Sequence, residues 1–357
     1  MDTIRADLRG RQRTCVTDEG ERAMADGVLV LGREQVAACL ADRHQEIVAA
    51  VRSAYEAHAA GTATVPFSIF LTDSSRPRDR IVGMPAYLRA DERAGMKWIS
   101  SFPGNVDVGK DRASSVIAVN SLADGRVTSL MEGSEINFAR TGASAALAAR
   151  TLHTEERLST LGVIGCGPIN LAIVRNLLAA YGGECRILLF DVVEDRARDF
   201  ATRVRGFAPG AEVETAGSTD AVLGAAPLVS IATNVREPHI ASLTDCPDGA
   251  TILHMSVRDI APEELERRDN VVDDPDHICR VGTSLHRLEQ RRGHRDFIRC
   301  TLGDVLLGRS APRRDRDEVL VYSQFGLAML DIAVAAHVQE TAEKAGIGTR
   351  VPDFHGG

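Results

Sequence analysis

The sequence predicts an α/β fold with two sheets, a mainly antiparallel one followed by a parallel, doubly wound one. Between residues 65 and 131, short apolar runs alternate with turn residues, which is typical of antiparallel strands. Between residues 161 and 272, short apolar and β-branched runs alternate with helical patterns, which favours a parallel sheet. The 357 residues suffice for about two domains at ~150 residues each.

The first part of the chain carries the elements of the antiparallel sheet. Residues 1–27 form a polar extension, Val28–Leu31 is predicted as a strand, and apolar residues at helical spacing predict one helix over 33–60. The further strands of this sheet are expected at 65–71, 81–84, 95–100, 115–120 and 127–131. Residues 135–152 are rich in Ala, Ser and Gly, and predict a helix that another element can approach closely.

The second part of the chain carries the parallel sheet, and the chain then turns back. The parallel strands are expected at 161–164, 187–190, 228–232, 251–255 and 270–272. Residues 323–344 predict one amphipathic helix, which follows the last parallel strand and can return to the first sheet. We therefore expect a discontinuous α+β domain of residues 28–139 and 323–357 around a parallel-sheet domain of residues 140–322.

Composition excludes several classes of protein. The net charge of −8 argues against a nucleic-acid partner, because nucleic-acid binding normally needs a basic surface. No run approaches the ~18 apolar residues of a membrane span, and the first residues contain no signal-peptide core. We therefore expect a cytoplasmic protein with a small-molecule substrate and no membrane partner.

The cysteine pattern indicates neither a disulfide framework nor a zinc site. There are seven cysteines without a C-x-x-C pair, at positions 15, 39, 166, 185, 246, 279 and 300. One acidic cluster, Asp273, Asp274, Asp276, His277 and Cys279, mixes hard and soft ligands in an order that suits no common metal. We expect no metal site.

A glycine turn joins the first parallel strand to a helix, and reads Gly165-Cys166-Gly167-Pro168-Ile169-Asn170. Gly165 suits the backbone of a tight turn, and Gly167 lets the backbone approach a pyrophosphate at the helix N-terminus. Asn170 replaces the third glycine of the dinucleotide fingerprint. The next strand ends in Asp191, where such folds place the acid that hydrogen-bonds a ribose 2′-hydroxyl. The order of these features predicts a Rossmann-type NAD domain.

Two alternatives to this interpretation stay open. A purely structural turn, with Asp191 capping the next helix, would explain the same residues. A carboxylate at this position repels a 2′-phosphate and so favours NAD, but the nearby Arg196 and Arg198 leave NADP open.

Four motifs in the same order carry a resemblance to a known family. They are GMKWISSFPGN at 95–105, ARTGASAA at 139–146, the glycine turn, and SVRD at 256–259. With them the chain resembles the ornithine cyclodeaminase/μ-crystallin family. The resemblance implies a Rossmann-type NAD domain joined to a domain for substrate binding and dimerisation, and hence a homodimer.

Three shorter phrases resemble one branch of that family, the branch that makes 2,3-diaminopropionate. They are VGMPAY at 82–87, KWI at 97–99 and FGL at 325–327. The resemblance implies an NAD-dependent dehydrogenase that cleaves N-(2-amino-2-carboxyethyl)-L-glutamate to 2,3-diaminopropionate and 2-oxoglutarate, in siderophore or peptide-antibiotic biosynthesis. An ornithine or lysine cyclodeaminase, an imine reductase and a non-catalytic, crystallin-like nucleotide-binding protein are the alternatives.

The resemblance also implies roles for individual residues. Lys97 and Asp259 are expected to be catalytic. Substrate contacts are expected from Met84, Lys97, Arg140, Ser323 and Gln324. Cofactor contacts are expected from Arg112, Thr141, Gly165, Gly167, Pro168, Ile169, Asn170, Asp191, Thr233, Ser256 and Val257. Two positions depart from the family pattern, since Ser68 stands where cyclodeaminases carry a second carboxylate-binding arginine, and Gln324 stands where this branch carries proline.

The residues themselves allow simpler interpretations. Lys97 could be a strand lysine paired with a surface acid, and Arg140 could bridge Glu132 or Glu135. Asp259 could cap the helix that begins near Pro262, because Asp is a favoured N-cap. His254, on an apolar strand, is expected to be a core histidine with satisfied hydrogen bonds. Trp98 adjoins Lys97 and is expected to act as a fluorescence probe of the site.

Overall fold

The computed structural model describes residues 27–89 and 92–356, so the predicted extension lies outside the described residues apart from Gly27. The strands are β1 (Val28–Leu31), β2 (Ala63–Thr64), β3 (Ile69–Asp73), β4 (Arg76–Leu88), β5 (Arg93–Ser101), β6 (Ala113–Ser121), β7 (Val127–Glu132), β8 (Thr160–Ile164), β9 (Arg186–Phe190), β10 (Glu212–Thr215), β11 (Leu228–Ile231), β12 (Thr251–His254), β13 (Asp269–Val272), β14 (Ile298–Thr301), β15 (Leu320–Ser323) and β16 (Thr349–Val351).

The α-helices are α1 (Arg33–Leu40), α2 (His44–Ala59), α3 (Ser134–Leu152), α4 (Pro168–Tyr181), α5 (Glu194–Phe207), α6 (Thr219–Leu223), α7 (Pro262–Leu265), α8 (Pro275–Ile278), α9 (Ser284–Arg292), α10 (Leu302–Leu306) and α11 (Ala328–Ala345). A 3₁₀ helix covers Pro103–Val108. Within the described ranges, no helix is both long and apolar enough to cross a membrane.

The first sheet has the order β16-β1-β7-β6-β5-β4-β2, with β3 also paired to β4. Its pairs are antiparallel except β1 with β7. The strands predicted between residues 81 and 131 are present, and several are longer than expected. The strand predicted over 65–71 is wrong at its start, because residues 65–68 form no strand and β3 begins at Ile69. Helix α11 packs on β4, β5 and β6 and also contacts α2 and α3, so a segment near the end of the chain covers a sheet built near its beginning.

The second sheet has the order β10-β9-β8-β11-β12-β15-β13-β14, and all of its pairs are parallel. This confirms the predicted doubly wound, Rossmann-type sheet. The chain order reverses between β8 and β11, and open parallel sheets bind ligands in the crevice at such a switch point, beyond the carboxyl ends of the strands. The residues that follow β8, β11 and β12 therefore line the crevice.

The single helix predicted over 33–60 is wrong, because the structure has two helices, α1 and α2. Ala41 is extended, and Asp42 has a φ of 57°, in the left-handed region. An aspartate adopts this conformation more readily than most side chains, and it interrupts the helical hydrogen bonds. The apolar periodicity continues across the break, which is why spacing alone did not reveal it.

The helix predicted to begin at residue 323 is also wrong at its start. Leu320–Ser323 is instead a buried strand between β12 and β13. Gly326, with a φ of 92°, lies in the left-handed region and separates this strand from α11, which begins at Ala328. The chain thus passes directly from the centre of the parallel sheet to the helix that covers the other sheet. The predicted division into domains stays a prediction.

Helices α3 and α4 pack closely at a glycine, as the small residues of 135–152 suggested. A Cβ atom on Gly142 would lie 2.6 Å from the carbonyl oxygen of Ala172. This oxygen belongs to the backbone of α4 and cannot move aside like a flexible side chain. The two helices that lead into and out of the glycine turn are therefore held together at a position where only glycine fits.

We expect Gly142→Ala to lower the free energy of unfolding by about 1–3 kcal/mol, the usual cost of overpacking. Gly206→Ala is the matched control, since Gly206 is an exposed glycine in α5 with no neighbouring atom within 4 Å of its added Cβ. That control should stabilise the helix by about 0.5–1 kcal/mol. Urea unfolding measures both, and equal effects of the two substitutions would contradict the close packing.

Candidate active site

Lys97 lies in β5 on the face of the first sheet that α11 covers. Its side chain is fully buried, and Met84 of β4 lies directly across from it in the register. Trp98, the next residue, points to the opposite face and is 38% exposed. The expectation that Trp98 reports on the Lys97 site is therefore wrong, because neighbouring residues of a strand face opposite sides of the sheet.

A buried carboxylate, that of Asp331 in α11, binds two cations at once. Lys97 Nζ donates to Asp331 Oδ2 at 2.7 Å, and Arg140 Nε donates to Oδ1 at 3.2 Å. Asn137 Oδ1 accepts from the same two cations, from Lys97 Nζ at 3.3 Å and from Arg140 Nη2 at 2.6 Å. Lys97 thus pairs with a buried acid rather than a surface one, and Arg140 with neither of the glutamates suggested for it.

The buried pair changes the protonation of Lys97. Burial, opposed by Asp331 and assisted by the nearby Arg140, lowers the pKa of Lys97 to about 8. The amine can therefore gain and lose a proton near neutral pH. This property suits a group that transfers a proton during catalysis.

Gly326 lets the backbone pass close to Arg140. A Cβ atom there would lie 2.8 Å from Arg140 Nη1. The N–H of Gly326 donates to Asp273 Oδ2 at 2.7 Å. Burial raises the pKa of Asp273 to about 6, although backbone hydrogen bonds from Gly326 and Phe325 oppose the rise. A buried carboxylate therefore fixes the turn that supports Arg140.

Asp259 forms a second cluster at the end of the crevice. Thr233 Oγ1 and Ser256 Oγ both donate to its carboxylate, and His254 Nε2 lies 3.2 Å from Oδ2. Burial alone raises the pKa of Asp259, but the partners His254, Ser256 and Thr233 outweigh burial and hold it well below its usual range. Asp259 is therefore ionised at neutral pH, and it is not a helix cap, because α7 has Ala261 at that position.

A four-residue segment, 323–326, connects the two clusters. At one end, Ser323 Oγ lies 3.2 Å from His254 Nδ1, and at the other end Gly326 lies against Arg140. Between them, Gln324 is 2% exposed, and neither its amide oxygen nor its amide nitrogen has a hydrogen-bond partner within the described part of the chain. An unpaired buried amide costs free energy, which a polar ligand would offset.

The glycine turn after β8 fits a dinucleotide. Gly165 has a φ of 88°, and a Cβ atom there would lie 2.5 Å from the carbonyl oxygen of Ala232. Gly167 has no atom within 4 Å of the position of its missing Cβ, so open space lies beside the N-terminus of α4. Pro168 occupies the first turn of that helix, where it removes no hydrogen bond. Backbone N–H groups there can approach a phosphate.

Asn170 and Asp191 hold this turn in place. Asn170 is fully buried, and its amide nitrogen donates to the carbonyl oxygens of Ile164, at 2.9 Å, and Gly165, at 2.6 Å. Its side chain thus stabilises the turn from inside. Asp191, at the end of β9, accepts from the backbone N–H of Cys166 and of Val193, both at 2.9 Å. Its carboxylate therefore lies next to the glycine turn, as a ribose-binding acid requires.

The other predicted cofactor residues are distributed over α3, the loops after β8, β11 and β12, and the segment before β6. Thr141 Oγ1 donates to the carbonyl of Asn137 at 2.7 Å, which places it in α3 beside the lysine–arginine cluster. Ser256 Oγ accepts from the N–H of Thr233 at 3.1 Å, so these two residues join the loops after β11 and β12. Val257 has a φ of 59°. Ile169 packs against the core, and Arg112 precedes β6 in the first sheet.

Sequence reasoning missed Asp331 and Asn137. The signal for Asp331 was present, because a single acid inside the apolar helix AMLDIAVAA needs a buried partner. Asn137 lies three residues before Arg140 and so on the same face of α3. The sequence interpretation of His254 as a core histidine named no partner, and the structure pairs it with Asp259 and Ser323.

The chain belongs to the ornithine cyclodeaminase/mu-crystallin family, whose sequence model matches residues 30–346. It is similar to N-((2S)-2-amino-2-carboxyethyl)-L-glutamate dehydrogenase of Staphylococcus aureus, with 26% identity over 90% of this chain and 97% of that one. The fold is similar to that of Δ¹-pyrroline-2-carboxylate reductase of Thermococcus litoralis, solved with NADH and L-proline, at a TM-score of 0.84 and 23% identity over 91% of this chain and 100% of that one. It is also similar to an archaeal alanine dehydrogenase dimer with bound NAD, at a TM-score of 0.82 and 24% identity over 92% and 99%.

We expect Asp331→Asn to lower the free energy of unfolding by about 3–5 kcal/mol, because it leaves Lys97 and Arg140 buried without a carboxylate. The loss should shrink as pH rises. Lys97 has a lower pKa in the folded chain than its ordinary 10.5, so the unfolded chain holds the proton longer, and folding gains stability with rising pH. Without Asp331 the folded pKa falls further, which strengthens this trend.

Urea unfolding at pH 7 and pH 9 measures the effect. Asp199→Asn is the matched control, since Asp199 is an exposed acid within a helix. The double variant Lys97→Met with Asp331→Asn should lose less than the sum of the single variants. Additive losses, or a loss in Asp331→Asn that is independent of pH, would contradict the coupled cluster.

Proposed function

We propose that this protein is an NAD-dependent dehydrogenase that splits N-(2-amino-2-carboxyethyl)-L-glutamate into L-2,3-diaminopropionate and 2-oxoglutarate, with formation of NADH. The product would serve siderophore or peptide-antibiotic biosynthesis. One observation carries the proposal: segment 323–326 joins a buried, carboxylate-binding pair of cations to an ionised carboxylate at the mouth of the nucleotide crevice. This arrangement supports substrate binding and proton transfer beside the cofactor site.

NAD is the cofactor of this proposal. Gly165 and Gly167 hold its pyrophosphate, and Asp191 binds the hydroxyls of its adenosine ribose. Arg198, one of the two arginines that left NADP open, pairs with Glu194 at 2.8 Å. Because this arginine already has a carboxylate partner, its pairing favours NAD over NADP. When bound, NAD accepts a hydride from the α-carbon of the glutamate half of the substrate. The two solved relatives named above also carry NAD or NADH.

Lys97 and Arg140 bind the substrate carboxylate next to the carbon that is oxidised. Their shared partner Asp331 neutralises only one of the two positive charges, so the cluster keeps a net positive charge when Lys97 is protonated. A planar guanidinium can take a carboxylate through two parallel hydrogen bonds. Gln324, with its unpaired amide, offers a further donor and acceptor beside this position.

Asp259 and Lys97 move the protons. Loss of hydride leaves an imine, and water then adds to its carbon. Asp259 is ionised and accepts the proton of that water, with Thr233 and Ser256 orienting its carboxylate. Lys97, protonated at neutral pH, gives a proton to the leaving nitrogen. Substrate, NAD⁺ and water thus yield the two products, NADH and one proton.

Other activities of the family make different demands on the site. A cyclodeaminase returns the hydride and releases ammonia, and in that branch a second arginine binds the substrate carboxylate. Ser68 occupies the matching position here, and it is buried and uncharged. Burying two cations around one acid carries a large desolvation penalty. A non-catalytic nucleotide-binding protein does not require such a cluster.

We expect the purified protein to convert N-(2-amino-2-carboxyethyl)-L-glutamate and NAD⁺ into stoichiometric amounts of NADH and 2-oxoglutarate. Absorbance at the reduced-nicotinamide band follows the first product, and a coupled assay follows the second. Release of ammonia without net NADH from this substrate or from ornithine would overturn the proposal in favour of a cyclodeaminase. Asp259→Asn should lower kcat by about 10²- to 10⁴-fold, whereas the exposed Asp199→Asn should leave it unchanged.

The outward face of the first sheet is apolar, and we propose that a second copy of this chain covers it. Tyr87, Met96, Trp98 and Val116 share this face and are 38–42% exposed. Contiguous apolar patches of this kind mark protein interfaces. The archaeal alanine dehydrogenase of similar fold is a dimer, which supports the same assembly here.

We expect the wild-type protein to sediment as a dimer at micromolar concentration and Trp98→Glu to sediment as a monomer, because the substitution places a charge in the apolar face. Val108→Glu is the control, since Val108 is 69% exposed but lies outside the sheet, in the 3₁₀ helix. A monomeric wild-type protein, or dissociation of both variants, would contradict this assembly.

A further inference from the structure

Four arginines from the two sheets form a group near the mouth of the crevice: Arg80, Arg112, Arg236 and Arg258. Arg80 lies in β4 directly across from Ser101 of β5, on the same face as Met84 and Lys97. The carbonyl of Arg112 accepts from the N–H of Phe102 at 2.8 Å, so Arg112 lies one position beyond the same end of the sheet. Arg80 thus extends the face that carries Lys97, and Arg112 follows at the same end of the sheet.

The other two arginines come from the crevice loops of the parallel sheet. Arg236 follows β11, three residues after Thr233, and Arg258 precedes Asp259 after β12. Arg258 Nη2 donates to the carbonyl of Val281 at 2.9 Å, which uses one of its five N–H groups. The group therefore lies where the loops that hold Asp259 meet the first sheet.

None of these four arginines forms an ion pair with a carboxylate among residues 27–89 and 92–356. Two of the acids beside them in sequence are bound to other arginines: Asp111 pairs with Arg33 at 2.7 Å, and Glu237 pairs with Arg287. Asp259, beside Arg258, is bound by Thr233, Ser256 and His254.

The arginines also repel one another. Burial lowers the pKa of Arg80, and Arg112 and Arg236 lower it further. The pKa of Arg258 is lowered first by burial and then by Arg80, although Asp259 opposes this effect. The repulsion acts between residues of the first sheet and residues of the crevice loops, and a bound anion would offset it.

We propose that Arg80, Arg112, Arg236 and Arg258 bind a second carboxylate, at the end of the substrate away from the reacting carbon. This inference rests on the proposed function and narrows it: the natural substrate is an amino-acid derivative with at least two carboxylates. Lys97 and Arg140 take the carboxylate beside the reacting carbon, and the arginine group takes the distal one. Substrates with a single carboxylate, such as alanine or proline, leave the group without an anion.

The pyrophosphate of the cofactor is the other anion that enters the crevice. It belongs at the glycine turn after β8, whereas Arg236 and Arg258 follow β11 and β12. The group therefore lies towards the nicotinamide end. In this proposal Arg112 binds the substrate, and not the cofactor as the family resemblance implied.

Calorimetric titration of the NADH-bound protein with two keto acids tests the inference. 2-Oxoglutarate has a distal carboxylate and 2-oxobutyrate has none. We expect the wild type to bind 2-oxoglutarate at least tenfold more tightly. Arg80→Gln and Arg236→Gln should each weaken 2-oxoglutarate about tenfold and leave 2-oxobutyrate and NADH unchanged. Arg267→Gln is the control, because Arg267 is an exposed arginine that has no ion pair among the described residues and precedes β13, at the amino ends of the parallel strands.

Equal affinity of the wild type for both keto acids would overturn the distal-carboxylate site. An equal loss of affinity for both keto acids in the variants would overturn it as well. Weaker NADH binding in the variants overturns it in favour of the cofactor phosphates. The thermal midpoints of Arg80→Gln and Arg236→Gln should be unchanged or raised, since no ion pair is lost, and this separates lost binding from misfolding. If the dicarboxylate preference holds while the proposed amine is not cleaved, only the proposed reaction is wrong.

Discussion

The site depends on one buried carboxylate, that of Asp331. It brings Lys97 of β5 and Arg140 of α3 to the same point, and it is itself carried by α11. Two cations and one anion in a buried environment leave one positive charge, and the proposed carboxylate site rests on this remaining charge. The desolvation of such a triad is costly, and its hydrogen bonds must be complete to offset that cost. Asn137 completes them, because its oxygen accepts from both cations.

In the second cluster the central group is an anion with hydrogen-bond donors around it. Around Asp259, neutral donors and a histidine surround a carboxylate and keep it ionised despite its burial. The two clusters differ in charge, and the direct passage of the chain from β15 to α11 fixes their separation. Segment 323–326 contacts both clusters, so four residues span the distance between them. The glycine at its end is needed for this passage, since any side chain there would displace Arg140.

Much of this arrangement could be predicted from the sequence. The alternation of strands and helices gave the parallel sheet, and the motif order gave Lys97, Arg140, Asp259 and the glycine turn. The break at Asp42 was not predicted because the apolar spacing continues across this left-handed residue. The strand Leu320–Ser323 was not predicted because apolar residues lie on both sides of Gly326, which separates the strand from α11. The Asp331 contacts needed the tertiary structure, since they join residues 191 and 234 positions apart. Likewise, four arginines scattered over 80–258 have no shared pattern in the sequence.

Successive residues of β5 face opposite sides of the first sheet. Lys97 faces the buried cluster, and its neighbours Met96 and Trp98 face the surface that we assign to a second subunit. Lys97 is therefore separated from the proposed subunit boundary by the thickness of one polypeptide backbone. In the proposed dimer, one strand would carry both a member of the buried charge cluster and part of the subunit interface. Substitutions of Met96 or Trp98 would then alter the interface without removing a hydrogen bond of Lys97.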